Sequence, residues 1–147
     1  MTVDHLGHVH LKVRDVERAI EFYADVLDGL TVAERVGRFA FLTLGEHHHD
    51  LALQEVPNAG SASTGSDGPV GLYHAAWEVA DAESLAGAYE RLRAREVDVS
   101  PVDHGISLAL YFDDPDGNGV EVYLDVREER DREEWGGENR RFDPTEL

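Results

Sequence analysis

Polar and apolar residues alternate along "GHVHLKVRD", residues 7–15. Val9, Leu11 and Val13 take one side; His8, His10 and Lys12 take the other. A period of two predicts a β-strand with one buried face. The period then lengthens. Val16, Ala19, Ile20, Tyr23 and Leu27 recur at helical spacing, predicting a helix that starts on an Asp15 N-cap and stops near Gly29. Three short strand-like segments follow, "LTVAERV", "RFAFLTLG" and "HDLALQEV", punctuated by Gly37 and Gly45. Together they predict a βαβββ module over about residues 5–56.

Residues 57–70, "PNAGSASTGSDGPV", are small and polar and predict a linker. The pattern then repeats. "LYHAAWEVAD" alternates like a strand, and Leu85, Ala88, Tyr89 and Leu92 mark one face of a helix. Strands are expected near 97–102, 106–112 and 119–125, the last two joined by the turn "DPDGNG". This second module spans about residues 71–125, so a period of about sixty residues occurs twice. The expected fold class is α+β, with two βαβββ modules in a single domain over residues 1–147. Residues 126–147 form a charged tail whose only aromatics are Trp135 and Phe142. It reads as a helix packed on the outside or as a solvated segment.

Hydrophobic residues make up 41% of the chain, enough for a core, and there is no cysteine. Disulfides and thiolate metal sites are therefore excluded. The formal charge is −18, from 31 acidic and 13 basic residues, and twelve of those thirteen are arginine. Such a surface repels nucleic acid and anionic membranes, so neither is an expected partner. No apolar run is long enough for a transmembrane helix, and a cytoplasmic protein is expected. The acidic excess with a single lysine suggests adaptation to high salt, where screening relieves self-repulsion.

The repeat singles out three side chains. His8 lies seven residues before Asp15, and His74 lies seven before Asp81. Glu121 shares the polar face of "GVEVYLD" with Tyr123 and Asp125. Two histidines and a carboxylate on separate strands could converge on one side of a metal as a facial triad, which suits Fe(II), with Zn(II) or Mn(II) also compatible. Taken singly, each would be an ordinary strand residue. His10 shares the face of His8, whereas His5, His47 and His48 read as surface or turn residues.

"GHVHLKVRDVERAIEFYADVL", "LYHAAWEVAD" and "YFDDPDGNGVEVYLD" resemble the vicinal oxygen chelate superfamily over residues 5 to about 125. That group comprises glyoxalase I, bleomycin- and fosfomycin-resistance proteins, methylmalonyl-CoA epimerase and extradiol dioxygenases. The resemblance implies an open, curved barrel of paired modules around a metal. Within the group the chain looks most like catechol 2,3-dioxygenase-like proteins. That similarity implies His8, His74 and Glu121 as iron ligands, His49 as the acid–base group, and Tyr111 and His104 beside the substrate. It also implies a small aromatic diol and O₂ as reactants, and a homodimer. A glyoxalase-like isomerase or lyase would need a fourth ligand in the middle of "DLALQEV", where Leu51, Ala52 and Leu53 stand, and Asp50, Gln54 or Glu55 could supply it only with a shift. A fosfomycin- or bleomycin-resistance-type protein is the other alternative.

Overall fold

A computed structural model of the chain describes residues 2–65 and 67–147. Its contacts divide the chain into two compact units, Met1–Ala62 and Ser63–Leu147. Each unit has the βαβββ order that the alternating pattern predicts, and the fold is α+β.

In the first unit the order is β1 (Val9–Val13), α1 (Val16–Val26), β2 (Thr31–Val36), β3 (Phe39–Thr43) and β4 (Leu51–Glu55). The sheet order is β1-β4-β3-β2, with β1 and β4 parallel and the other pairs antiparallel. Leu11, Val13, Ala40, Leu42, Leu51 and Leu53 are buried, and α1 adds Val16, Ala19, Phe22, Tyr23 and Val26 to this core. The Asp15 carboxylate caps the helix, accepting from Arg18 N at 2.9 Å. The buried stripe of α1 differs from the expected one: Phe22 and Val26 join it, whereas Ile20 is only half-buried. Both stripes fit helical spacing, and the aromatic at position 22 offers more area to bury than the branched residue at 20.

The second unit runs β5 (Ala75–Val79), α2 (Ala82–Ala94), β6 (Ser100–Asp103), β7 (Ser107–Asp113), β8 (Gly119–Asp125), α3 (Arg127–Arg130) and β9 (Arg140–Arg141), ending in a 3-10 turn at Pro144–Glu146. The sheet order is β5-β8-β7-β6-β9. Asp81 caps α2 as Asp15 caps α1, accepting from Ser84 N at 2.8 Å. Leu85, Ala88 and Leu92 are buried as expected; Tyr89 is half-buried beneath the Arg93 guanidinium.

Two local expectations change. β6 begins at Ser100, not near 97. The tail is neither purely helical nor solvated. Its residues 140–141 pair with β6, and Pro144 is buried. "DPDGNG" is a turn, as expected: Asp114 Oδ1 accepts from Asp116 N and Asn118 N at 2.8 and 2.9 Å. Among the described residues no helix is long and apolar enough to cross a membrane.

Candidate metal centre and catalytic groups

Strand register assembles the site in the second unit. Glu121 on β8 lies opposite Tyr111 on β7, and Tyr111 lies opposite Ser100 on β6. Directly opposed residues share a face, so the Tyr111 hydroxyl reaches Glu121 Oε1 and donates at 3.1 Å. His74 lies one residue ahead of β5, which runs parallel to β8 with Ala76 beside Glu121. Its Nε2 is 2.9 Å from Glu121 Oε2. His104 sits in the β6–β7 turn, where Gly105 takes a positive φ of 80°. Its Nε2 is 2.8 Å from the Tyr111 oxygen. Because the phenol proton goes to Glu121, the His104 Nε2 must be the donor in that contact.

His74, Glu121, Tyr111 and His104 thus form one hydrogen-bonded line. The phenol is held well above its ordinary pKa, first by burial and then by the Glu121 charge and its hydrogen bond. His74 and Tyr111 also line a cavity of about 310 Å³ with Tyr73, Thr64, Ser100 and Asp113. Burial pushes the Asp113 carboxyl upward, and the charge of Asp114 adds to this. Gly119 permits the close approach that sets His74: a Cβ there would collide with the carbonyl of Tyr73.

In the first unit, His8 lies one residue ahead of β1, as His74 does before β5. Its ring centroid is 4.4 Å from that of His49. His48 turns elsewhere: its Nε2 meets Glu34 Oε2 at 3.0 Å and its Nδ1 meets His49 Nδ1 at 2.9 Å. The two Nδ1 atoms of His48 and His49 face each other, so one ring donates and the other accepts in that contact. Partial burial and the neighbouring His8 and His48 lower the His49 pKa. His10 packs edge-on to Phe39, while His5 stacks on His47.

The registers of the two units can be compared. Leu51 pairs with Val9 as Val120 pairs with Ala75, so Ala52 is the counterpart of Glu121. Phe41, opposite Ala52, is the counterpart of Tyr111. The first unit therefore keeps the histidine of the pattern and replaces its carboxylate and phenol with apolar side chains.

The donor set of the second unit suits a divalent cation. Glu121 is only 8% exposed, and among the described residues its side-chain partners are imidazole and phenol, not Lys or Arg. Buried carboxylates are ordinarily paired with a charge or a metal. Two cis ligands at about 2.0–2.2 Å from one ion would stand roughly 3 Å apart, close to the His74–Glu121 separation. Among the described residues His74 Nδ1 is buried without a hydrogen-bond partner of the kind that usually steadies a ligating histidine. Among the described residues, no three His, Asp or Glu side chains are gathered as a metal cluster.

Residues 5–122 match the family model of the Glyoxalase/Bleomycin resistance protein/Dioxygenase superfamily. The chain belongs to that superfamily. It is 37% identical over 131 residues to a catechol-2,3-dioxygenase of Bacillus subtilis, covering 89% of this chain and 44% of that protein. To a biphenyl-2,3-diol 1,2-dioxygenase of Rhodococcus globerulus it is 34% identical over 120 residues, covering 81% and 62%. The chain thus spans roughly half the length of these dioxygenases. A lactoylglutathione lyase of Pseudomonas aeruginosa is 31% identical over 144 residues, covering 79% and 80%. Among solved structures, a glyoxalase/bleomycin resistance protein/dioxygenase domain from Frankia aligns with a TM-score of 0.68 at 25% identity, covering 84% of this chain and 93% of that one. A fosfomycin resistance protein from Listeria monocytogenes, solved with Mn(II) and a dihydroxypropylphosphonic acid, aligns at 0.67 and 20% identity over 88% and 96%.

Tyr73, whose ring lies 4.8 Å from that of His74, carried no sequence signal beyond its adjacency to that histidine. Trp135, 6.0 Å from His104, was visible only as an aromatic in a charged tail.

Proposed function

We propose that the chain is a metal-dependent extradiol dioxygenase that opens an aromatic diol beside its hydroxyls using O₂. The observation that carries this reading is the line His104–Tyr111–Glu121–His74, in which, among the described residues, a buried carboxylate is held by imidazole and phenol. In this reading His8, His74 and Glu121 ligate the metal, Fe(II) by preference, with Mn(II) or Zn(II) also suited to the ligand types. His8 joins the other two from the same chain or from a second copy in a homodimer. The metal, when bound, supplies a Lewis-acid and redox centre that acidifies the diol and brings it together with O₂.

The remaining work falls to this chain's own side chains. His49, whose lowered pKa favours the neutral ring, takes a hydroxyl proton from the diol and returns it as the ring opens. Such help is typically worth about 10²–10⁴-fold in rate. Tyr111 keeps its proton at neutral pH and remains a donor, toward Glu121 or a substrate oxygen. His104 donates to the phenol oxygen and holds its direction. A glyoxalase-like reading draws support from the lactoylglutathione lyase similarity, but its fourth ligand would fall on the strand where Ala52 stands. The acidic surface extends the proposal to a cytoplasm rich in salt.

The test is anaerobic Fe(II) loading of the full chain in concentrated KCl, followed by a panel of catechols and then air. A yellow ring-opened product that disappears in Glu121→Ala is expected. His49→Ala should retain iron and lose at least about 100-fold in turnover. Tight binding of another metal, with no O₂ uptake on any diol, would overturn the reading.

A further inference from the structure

The C-terminal segment returns to the turn that carries His104 and is fastened there on two sides. On one side β9 pairs with β6, Val102 opposite Arg141 and Asp103 opposite Arg140. On the other, Arg130 donates to both Asp103 carboxylate oxygens at 2.8 and 3.1 Å and to the Gly105 carbonyl at 3.2 Å. Between these anchors, residues 131–139 form a loop closed by an Arg132–Glu138 ion pair. Arg132 also donates to the Glu134 and Trp135 carbonyls at 2.9 and 2.8 Å. The indole Nε1 of Trp135 donates to the Glu138 carbonyl at 2.7 Å. The loop lies so close to the turn that a Cβ at Gly105 would collide with the Arg132 guanidinium.

This loop does not build the core, since Trp135 is 47% exposed. Its ordered ring contact is with a histidine of the candidate site: the Trp135 and His104 centroids are 6.0 Å apart at an interplanar angle of 80°. Edge-to-face packing at that distance is a favoured aromatic arrangement. The orientation of His104 matters because its two ends differ. A half-turn of the ring would put a carbon where Nε2 now meets Tyr111, ending the donation that leaves the phenol proton for Glu121.

We propose that Trp135 is a positioning residue of this site: its edge-on packing holds the His104 ring with Nε2 toward Tyr111, so that the phenol stays directed at Glu121. The proposal rests on the dioxygenase reading for its catalytic consequence but not for its structural one. It gives the tail a task, that of ordering a site whose groups all lie earlier in the chain.

Long-range ¹H–¹⁵N spectra of His104 in the full-length, metal-free protein test it directly. The wild type and Trp135→Phe should show one Nε2–H form. In Trp135→Leu, which fills the space without an aromatic edge, that proton should exchange with water at least about tenfold faster, in the manner of a locally opened contact. Amide protection at Val102 and Asp103 should stay unchanged, showing that β9 remains paired. An unaltered His104 signal in Trp135→Leu overturns the proposal, as does loss of the signal together with loss of β9 pairing in Trp135→Phe. In the Fe(II)-loaded enzyme, Trp135→Leu should lower kcat by about 10- to 100-fold with KM within about threefold. It should add nothing further in a His104→Ala background. A wild type that turns over no diol would remove the dioxygenase reading, while the spectra would still decide the role of Trp135.

Discussion

Glu121 concentrates the chemistry at the scale of single residues. In the proposed reading, a buried carboxylate met by one imidazole and one phenol would take a cation, and Tyr111 would act on that cation through it. Tyr111→Phe removes an outer hydrogen bond, for which losses of about 10- to 100-fold in metal affinity are usual. Titration with redox-inert Mn(II) should show a loss in that range, and Glu121→Gln should weaken binding further. Gly119→Ala forces its new methyl against the Tyr73 carbonyl, next to His74. It should cost about 1–3 kcal/mol of stability, measured by urea unfolding, and should weaken the same Mn(II) titration. Much of this constellation was legible in the sequence. His74 stood at a repeated distance from a helix cap, and Glu121 lay on a strand's polar face. The resemblance added Tyr111, His104 and His49. Within the run of histidines, His49 packs on His8 while His48 meets Glu34.

At the scale of elements, period alone marked eight strands and two helices, because strand alternation and helical spacing are local properties of the chain. β9 escaped it. Two consecutive arginines carry no alternation, and they become a strand only because β6 offers an open edge. The inward stripe of α1 was shifted for a related reason: what it packs against belongs to distant strands. The Asp103–Arg130 pair gives this edge a pH dependence. The pair holds the Asp103 carboxyl below its ordinary range, so its contribution is complete above the unfolded value of about 3.9. It is lost as pH falls through the lower native value. Both groups are partly exposed, so ~1 kcal/mol or less is expected. Asp103→Asn should therefore melt below the wild type at pH 7, and the gap should close in melting curves taken toward pH 3.

For the whole molecule, the −18 charge is the dominant fact. Repulsion among exposed carboxylates reaches about 10 Å at 0.1 M salt and about 3 Å at 1 M. The melting temperature should accordingly climb by several degrees, roughly, between 0.1 and 2 M KCl; a flat or falling curve would remove the high-salt reading. The similar dioxygenases are longer than this chain, whose match takes in 44% and 62% of the two described above. Within the second unit, the short pairing of β9 has a consequence for self-association. A β6 without it would present unpaired N–H and C=O groups to any other strand in solution. The native edge is instead closed by two residues, both arginine, too short to template further growth and alike in charge. Removing residues 140–147 should make the chain aggregate as its concentration rises, by strand addition at the uncovered rim of β6.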